Sequence, residues 1–188
     1  MSDCVLILRE GTVIISTSRF GQVAIKQEDL LTFPEGLLGF ADLRQFVLLD
    51  DPSDEIFAWL QSCEVPQIAF PVLEPELFAE NYKVALTKSD LEALKASAQS
   101  QLRYFSIVTI PEDPTQMTGN LKAPICINFQ NRMSRQCVLQ DNHLAIREPI
   151  FAKLQQRVVQ NPAVAIKNQS TGIDVAVKIP AQQIEAGL

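Results

Sequence analysis

The chain has 188 residues, 47% hydrophobic and 20% charged, with a net charge of −6. That is enough apolar material for one globular domain whose core needs neither disulfides nor metal. The acidic balance argues against direct nucleic-acid binding, which needs a lysine- and arginine-rich footprint. No stretch approaches the roughly 18 unbroken apolar residues of a membrane-spanning helix.

The opening MSDCVLILRE lacks the basic start and small-residue cleavage site of a secretory signal, so a cytoplasmic location is expected. Residues 5–8 and 13–16 are β-prone runs flanking Glu10-Gly11 and predict a tight hairpin. Residues 22–26 predict another short strand. A stronger run at 44–50 is stopped by Asp50-Asp51-Pro52, and residues 56–61 carry the only tryptophan. Residues 67–73 alternate in character but contain Pro71, whose missing N–H puts that strand at an edge or a bulge.

Ser89-Asp90-Leu91-Glu92 has capping-box spacing with Ser89 as N-cap. Leu91, Leu94 and Ala98 follow at helical spacing, predicting a short helix near residues 90–98. The next strand, 103–110, ends at Pro111-Glu112-Asp113-Pro114, a stiff turn in which Pro114 holds Asp113 extended. Residues 121–128 and 136–140 predict two strands joined by the polar loop 129–135. Beyond Pro149, Ile150, Leu154 and Val158 recur every fourth residue and predict an amphipathic helix. Residues 163–167 and 173–179 predict a hairpin around Ser170-Thr171-Gly172. So many strands beside one small helix predict a mainly β fold, an antiparallel barrel-like or folded sandwich, with an extra C-terminal helix and hairpin.

Catalytic groupings are scarce. Cysteines stand at 4, 63, 126 and 137 without C-x-x-C spacing, and His143 is the only histidine, so no zinc site is expected. The cysteines suit a reduced, buried role. His143, beside Asp141 and Asn142, reads as a turn residue. No nucleophile elbow, phosphate loop, dinucleotide fingerprint or H-E-x-x-H occurs, and no cofactor is expected. The acids at 50–51, 54–55, 74, 76 and 112–113 lie mostly beside prolines in turns. A carboxylate pair assembled in space is the remaining enzymatic alternative. Arg132, Arg135 and Lys122 are too few for a nucleic-acid surface.

The segment FPEGLLGF at 33–40 sets four large apolar residues around a proline and two glycines. Such a loop either plugs a barrel end or offers a docking surface, and one loop can do both. With it stand Thr17-Ser18-Arg19-Phe20-Gly21, Trp59-Leu60-Gln61-Ser62, Phe70-Pro71-Val72 and VTIPEDPTQMTGNLKAPICIN at 108–128, then Asn131, Gln136, Leu139 and Arg147. In this order and spacing, from Thr17 to about Pro149, they resemble the bacterial flagellar assembly factor FliW family. Gly119, where alanine is common, and Leu144, where an aromatic is usual, depart from the pattern.

The resemblance implies a single β-barrel-like domain over 1–149, with 1–15 as an N-terminal addition and 150–188 as a C-terminal extension. It also implies a monomeric, non-enzymatic protein with neither nucleic-acid nor membrane partners. Its expected partners are flagellin and the carbon storage regulator CsrA, a small RNA-binding dimer that blocks translation of flagellin mRNA. Export of flagellin would free the factor to capture CsrA and release the message. Acidic surface facing an RNA-binding protein would suit that exchange. The alternative within the family is a dedicated flagellin chaperone without regulator binding, its added tail covering a docking face. The candidate partner-binding residues are family-matching positions hard to place in a core. They are Phe33, Glu35, Leu37, Leu38 and Phe40 in the first loop, then Glu112, Asp113, Met117, Thr118, Asn120 and Lys122. Thr118 and Asn120 equally suit turn caps, and Met117 a core gap. Phe105, Ile107, Ile125, Ile127 and Trp59 are assigned to the core.

Overall fold

The computed structural model describes residues 11–50 and 56–160, with the backbone of Val5–Ile7 and Ile173–Asp174. Strands β1 (Val5–Ile7), β2 (Thr12–Thr17) and β3 (Gly21–Lys26) form a small antiparallel meander. The main sheet begins with β4 (Leu31–Thr32), β5 (Gln45–Asp50), β6 (Ala58–Ser62) and β7 (Ala69–Leu73). After the short helix α1 (Lys88–Ala93) come β8 (Leu102–Thr109), β9 (Thr118–Gly119), β10 (Ile125–Asn128) and β11 (Ser134–Gln136). The short β12 (Glu148–Pro149), helix α2 (Phe151–Gln160) and β13 (Ile173–Asp174) complete the order.

The main sheet runs β5-β6-β7-β8-β10-β11 with every pair antiparallel. β4 lies beside the start of β5, and a parallel bridge joins Thr32 to Met133, just before β11. There the Thr32 N–H donates to the Arg132 carbonyl at 2.9 Å. The sheet therefore closes on itself as a barrel, which satisfies edges that would otherwise stay open. The expectation of a mainly β, barrel-like fold holds.

Side-chain alternation makes two layers from one set of strands. Phe46, Leu48, Ala58, Leu60, Phe105 and Ile125 point into the barrel. Val47, Leu49 and Trp59 point out and meet Val13, Ile15, Val23 and Ile25 of the small sheet. β6 is consequently buried along its whole length. Double-faced burial is why these segments read as continuous apolar runs rather than as alternation. On the opposite wall Cys126 packs outward against Leu94, at the end of α1, and Cys137. Leu154 of α2 joins Ile150, Val108, Met117 and Leu121 in a further cluster.

Several boundaries differ from expectation. The N-cap of α1 is Thr87, not Ser89: its Oγ1 accepts the Asp90 N–H at 3.2 Å, while the Asp90 carboxylate accepts the Thr87 N–H at 2.8 Å. Starting two residues earlier rotates Leu94 into the core and leaves Leu91 exposed. Helix α1 stops at Ala93 rather than Ala98, because Lys95 takes a left-handed φ of 47°. β10 begins at Ile125 rather than 121, and β11 spans Ser134–Gln136 rather than 136–140. β7 is interior to the sheet, yet Pro71 pairs only with Trp59, and the ladder to β8 starts one residue later at Val72. The missing N–H thus falls just outside the second ladder.

Residues 51–55 and most of the predicted C-terminal hairpin lie outside the described residues. The exception is Ile173–Asp174, which pairs in parallel with Leu49 and Asp50 of β5. Gly119 has a local cause: a Cβ there would sit 2.9 Å from Cζ of the buried Phe78 ring. That ring takes the room an alanine methyl needs.

Two stability predictions follow from this packing. Gly36 has φ +67°, and a Cβ on it would lie 2.4 Å from the Phe40 carbonyl oxygen. Gly36→Ala should therefore destabilise the fold by roughly 1–3 kcal/mol, the cost of a left-handed non-glycine residue, and show a lower urea midpoint. An unchanged midpoint would show that the loop backbone yields freely. Burial by itself would raise the Asp90 carboxyl, but the Thr87 bonds and Arg135 outweigh it and hold it below the ordinary value of 3.8. A depressed carboxyl contributes stability that is complete above the unfolded value and is lost as pH falls through the folded one. Asp90→Asn should thus be less stable than the parent at pH 7, with the gap shrinking below pH about 3.8. An equal gap at pH 7 and pH 3 would rule the carboxylate out as the source.

Candidate functional site

The loop at 33–40 is built as a plug with an outward tip. Phe33 is fully buried, edge-on to Phe46 with ring centroids 5.1 Å apart, and Leu37 is buried with it. Phe40 is half-buried and edge-on to Phe70 at 5.3 Å. Leu37 and Phe40 exchange backbone hydrogen bonds of 3.3 and 2.8 Å across a tight Leu38-Gly39 turn. Gly39 supplies the positive φ of 83° that the second central position of such a turn requires. Leu38, at the first, is left 61% exposed. Glu35 is also exposed. Of the five loop candidates, Phe33 and Leu37 belong to the core and Phe40 largely does. The two that are exposed are Glu35 and Leu38.

Gln136 fixes the tip to the barrel. Its Oε1 accepts the Leu38 N–H at 3.0 Å, and its Nε2 donates to the Ala123 carbonyl at 3.2 Å. The next residues continue extended beside 122–124, with the Cys137 N–H on Pro124 O and the Leu139 N–H on Lys122 O, both 2.9 Å. Cys137 and Leu139 are buried while Val138, between them, is 48% exposed. Val138 shares the side of Gln136 and extends the rim from Leu38 toward Lys122. Arg135 braces the other flank, 3.2 Å from Glu35 and 3.3 Å from Asp90. Its guanidinium also donates to the Ser89 carbonyl at 3.5 Å.

The second candidate group divides. Lys122 donates from Nζ to the Asp141 carbonyl at 2.6 Å. Asn120 accepts the Ala123 N–H at 3.0 Å and so caps a turn, while Thr118 sits in β9, paired with both β8 and β12. Met117 is buried among Phe78, Val108 and Leu121 and is a core residue. Glu112 and Asp113 are exposed beyond the C-terminal end of β8, Asp113 capping the 3-10 turn Pro114–Gln116 that packs against α2. Bonds from the Thr115 hydroxyl and N–H hold the Asp113 carboxyl below the usual carboxylate range. The structure therefore places Glu35 and Leu38 exposed on one loop, Lys122 beside the segment that follows Gln136, and Glu112 and Asp113 beyond the end of β8.

Sequence reasoning missed Arg135 and Val138 as rim residues, and did not see Gln136 as a clamp. Only Val138 had a local signal, the in-out alternation of QCVLQ. Conversely, two conspicuous motifs prove architectural. Arg19 lies over the Trp59 ring at 3.8 Å, Phe20 meets it edge-on at 6.4 Å, and the Ser18 N–H bonds Pro66 O at 2.9 Å. Buried Gln61 donates to the carbonyls of Ser62, Pro66 and Ile68 at 3.0 to 3.3 Å. The Ser18, Arg19 and Phe20 contacts fasten the small sheet to the barrel, and Gln61 braces the β6–β7 turn that receives the Ser18 bond.

Bond-making chemistry has little to work with here. Among the described residues no group of three or more His, Cys, Asp or Glu side chains is placed to hold a metal ion. His143 is exposed, and its backbone N–H closes a turn on Asp141 at 2.8 Å. Burial pushes the Cys63 thiol up to about 12, so it stays protonated and unreactive at neutral pH. Cys63, Cys126 and Cys137 are all buried and unpaired. Among the described residues no helix is long and apolar enough to cross a membrane.

The family model described as FliW protein matches residues 14–150. The flagellar assembly factor FliW of Bdellovibrio bacteriovorus is 79% identical over 167 residues, 89% of this chain and 95% of that protein. The same factor from Ruminiclostridium cellulolyticum is 34% identical over 148 residues, 78% of this chain and 100% of the relative. A crystal structure of the flagellar assembly factor FliW matches with a TM-score of 0.68 at 30% identity, covering 73% of this chain and 96% of that one. The closed barrel, the plugged loop and these likenesses agree, and the chain belongs to the FliW family of flagellar assembly factors.

Proposed function

We propose that this chain is a non-catalytic cytoplasmic binding protein that holds flagellin and CsrA in alternation. In that scheme flagellin occupies the factor until export removes it. The freed factor then takes CsrA away from flagellin mRNA. The observation that supports this reading is Leu38, a large aliphatic side chain 61% exposed and held on the rim by Gln136. A rigid apolar anchor loses little conformational entropy on binding, which is what a binding hot spot requires. Glu35 stands exposed on the same loop, and the chain as a whole carries a net charge of −6. An acidic balance favours a basic partner such as an RNA-binding regulator and repels its phosphate ligand. Exposed Glu112 and Asp113 form a second contact area in this scheme, beyond the far end of β8.

Calorimetric titration with flagellin and with CsrA, alone and after saturation with the other, tests the exchange. Each partner should abolish the heat of the other, and simultaneous binding would sink the alternation. Leu38→Asp should weaken binding about 30-fold or more, roughly 2 kcal/mol, with an unchanged melting temperature. Phe33→Ala should instead cost about 3–5 kcal/mol of fold stability, as expected of a buried aromatic. Gln136→Leu removes both clamp bonds and should reduce affinity several-fold through a loosened tip. If Leu38→Asp binds like the parent, the rim is not the docking surface.

A further inference from the structure

β11 is the last strand of the main sheet, with β10 on one side of it. On its other side closure is brief. Thr32 bridges to Met133 and its N–H reaches the Arg132 carbonyl, but the next N–H, that of Phe33, turns away to the Arg44 carbonyl. Past Met133 the outer side of the strand therefore loses β4 as a neighbour. The chain runs on beside 122–124, where Cys137 and Leu139 direct their N–H groups to Pro124 and Lys122. Alternation along a strand then turns the backbone groups of Val138 to the opposite side. Among the described residues neither the N–H nor the carbonyl of Val138 has a hydrogen-bond partner. The 33–40 loop meets this stretch through the Gln136 side chain and leaves the backbone of Val138 alone.

Open N–H and carbonyl groups on an edge recruit another strand, so edges are ordinarily shielded by lysine, proline or an inward charge. Residues 136–140, QCVLQ, contain no charge and no proline. Val138 at their centre is β-branched and 48% exposed. An uncharged strip with an apolar centre is complementary to itself. Laid antiparallel about a two-fold axis, two such strips set Val138 opposite Val138 of the second copy, each N–H donating to the other's carbonyl. Gln136 of one strip then faces Gln140 of the other, amide to amide, with no like charges opposed.

We infer that the edge at 136–140 pairs with the same edge of a second copy of this chain, giving a two-fold dimer. A self-complementary patch of this kind is what a two-fold interface requires. An edge-to-edge contact is small, at the weak end of interfaces below roughly 1,200 Å² in total, so the dimer is reversible. The net charge of −6 on each copy opposes the approach at long range, an effect that salt screens. The inference departs from the monomer that the family resemblance implies, and it does not rest on flagellin or CsrA being partners.

Sedimentation velocity of the full chain in moderate salt, over about a hundredfold range of concentration, tests it. The mass should rise from monomer toward dimer, and the Val138 amide should exchange about tenfold more slowly at the concentrated end. Val138→Lys opposes like charges across the axis and should weaken the dimer about tenfold or more. Val138→Thr keeps a β-branched side chain and should leave dimerisation within about twofold of the parent. Melting curves at the dilute end check that the variants fold, and if Val138→Lys melts lower, the amide readout in the parent decides. A monomer at every concentration overturns the inference. A dimer that Val138→Lys does not weaken, or that leaves Val138 exchange unchanged, also overturns it, because the copies then meet through another surface.

Discussion

Burial of β5 and β6 on both faces is the constraint from which the rest of the molecule follows. Leu48 and Leu60 require a barrel interior, while Leu49 and Trp59 require an outer cover. The small sheet exists to provide that cover, and Arg19, Phe20 and Ser18 fasten it to Trp59 and Pro66. A strand with two apolar faces has no solvent side on which to display functional groups. Function is therefore displaced to loops and strand edges, and the candidate surfaces lie there.

The 33–40 loop shows how one segment serves packing and recognition together. Its buried aromatics close the barrel, and the positive φ values of Gly36 and Gly39 let the backbone reverse tightly enough to turn Leu38 outward. The anchor is rigid because the plug beneath it is rigid. Gln136 then couples the tip to the strand that follows β10, which ties the rim to the barrel wall. Arg135 adds a charged brace between Glu35 on the loop and Asp90 in the cap of α1. Exposed ion pairs such as Arg135 with Glu35 contribute little energy, roughly 0–1 kcal/mol. Their use here is to orient.

The C-terminal extension changes the surface of the common domain. α2 covers one end through Leu154, Lys153 pairs with Glu148, and Arg157 donates to the Glu76 carbonyl at 3.1 Å. Val158 and Val159 remain exposed on the same helix. Relatives that align over about three quarters of this chain while covering nearly all of themselves lack an addition of this size. The extension is thus the part of this protein in which its behaviour can differ from theirs.

Sequence by itself determined the strand-rich composition, the places where proline and acid stop each strand, and the family, through five ordered motifs. It also marked 33–40 as special, since apolar residues between glycines in a loop demand an explanation. It did not separate Phe33 from Leu38, because both are large and apolar and only the direction of the chain through the barrel decides which is buried. Helix α1 was shifted by two residues because Thr87 and Ser89 are equally good caps locally. Burial of Leu94 against Cys126 and Cys137 selected the earlier register. The meeting of Gln136 with Leu38, 98 positions apart, depends on barrel closure through Thr32 and Met133. Contacts of that kind have no local signature, since they follow from which strands become neighbours rather than from what any one strand contains.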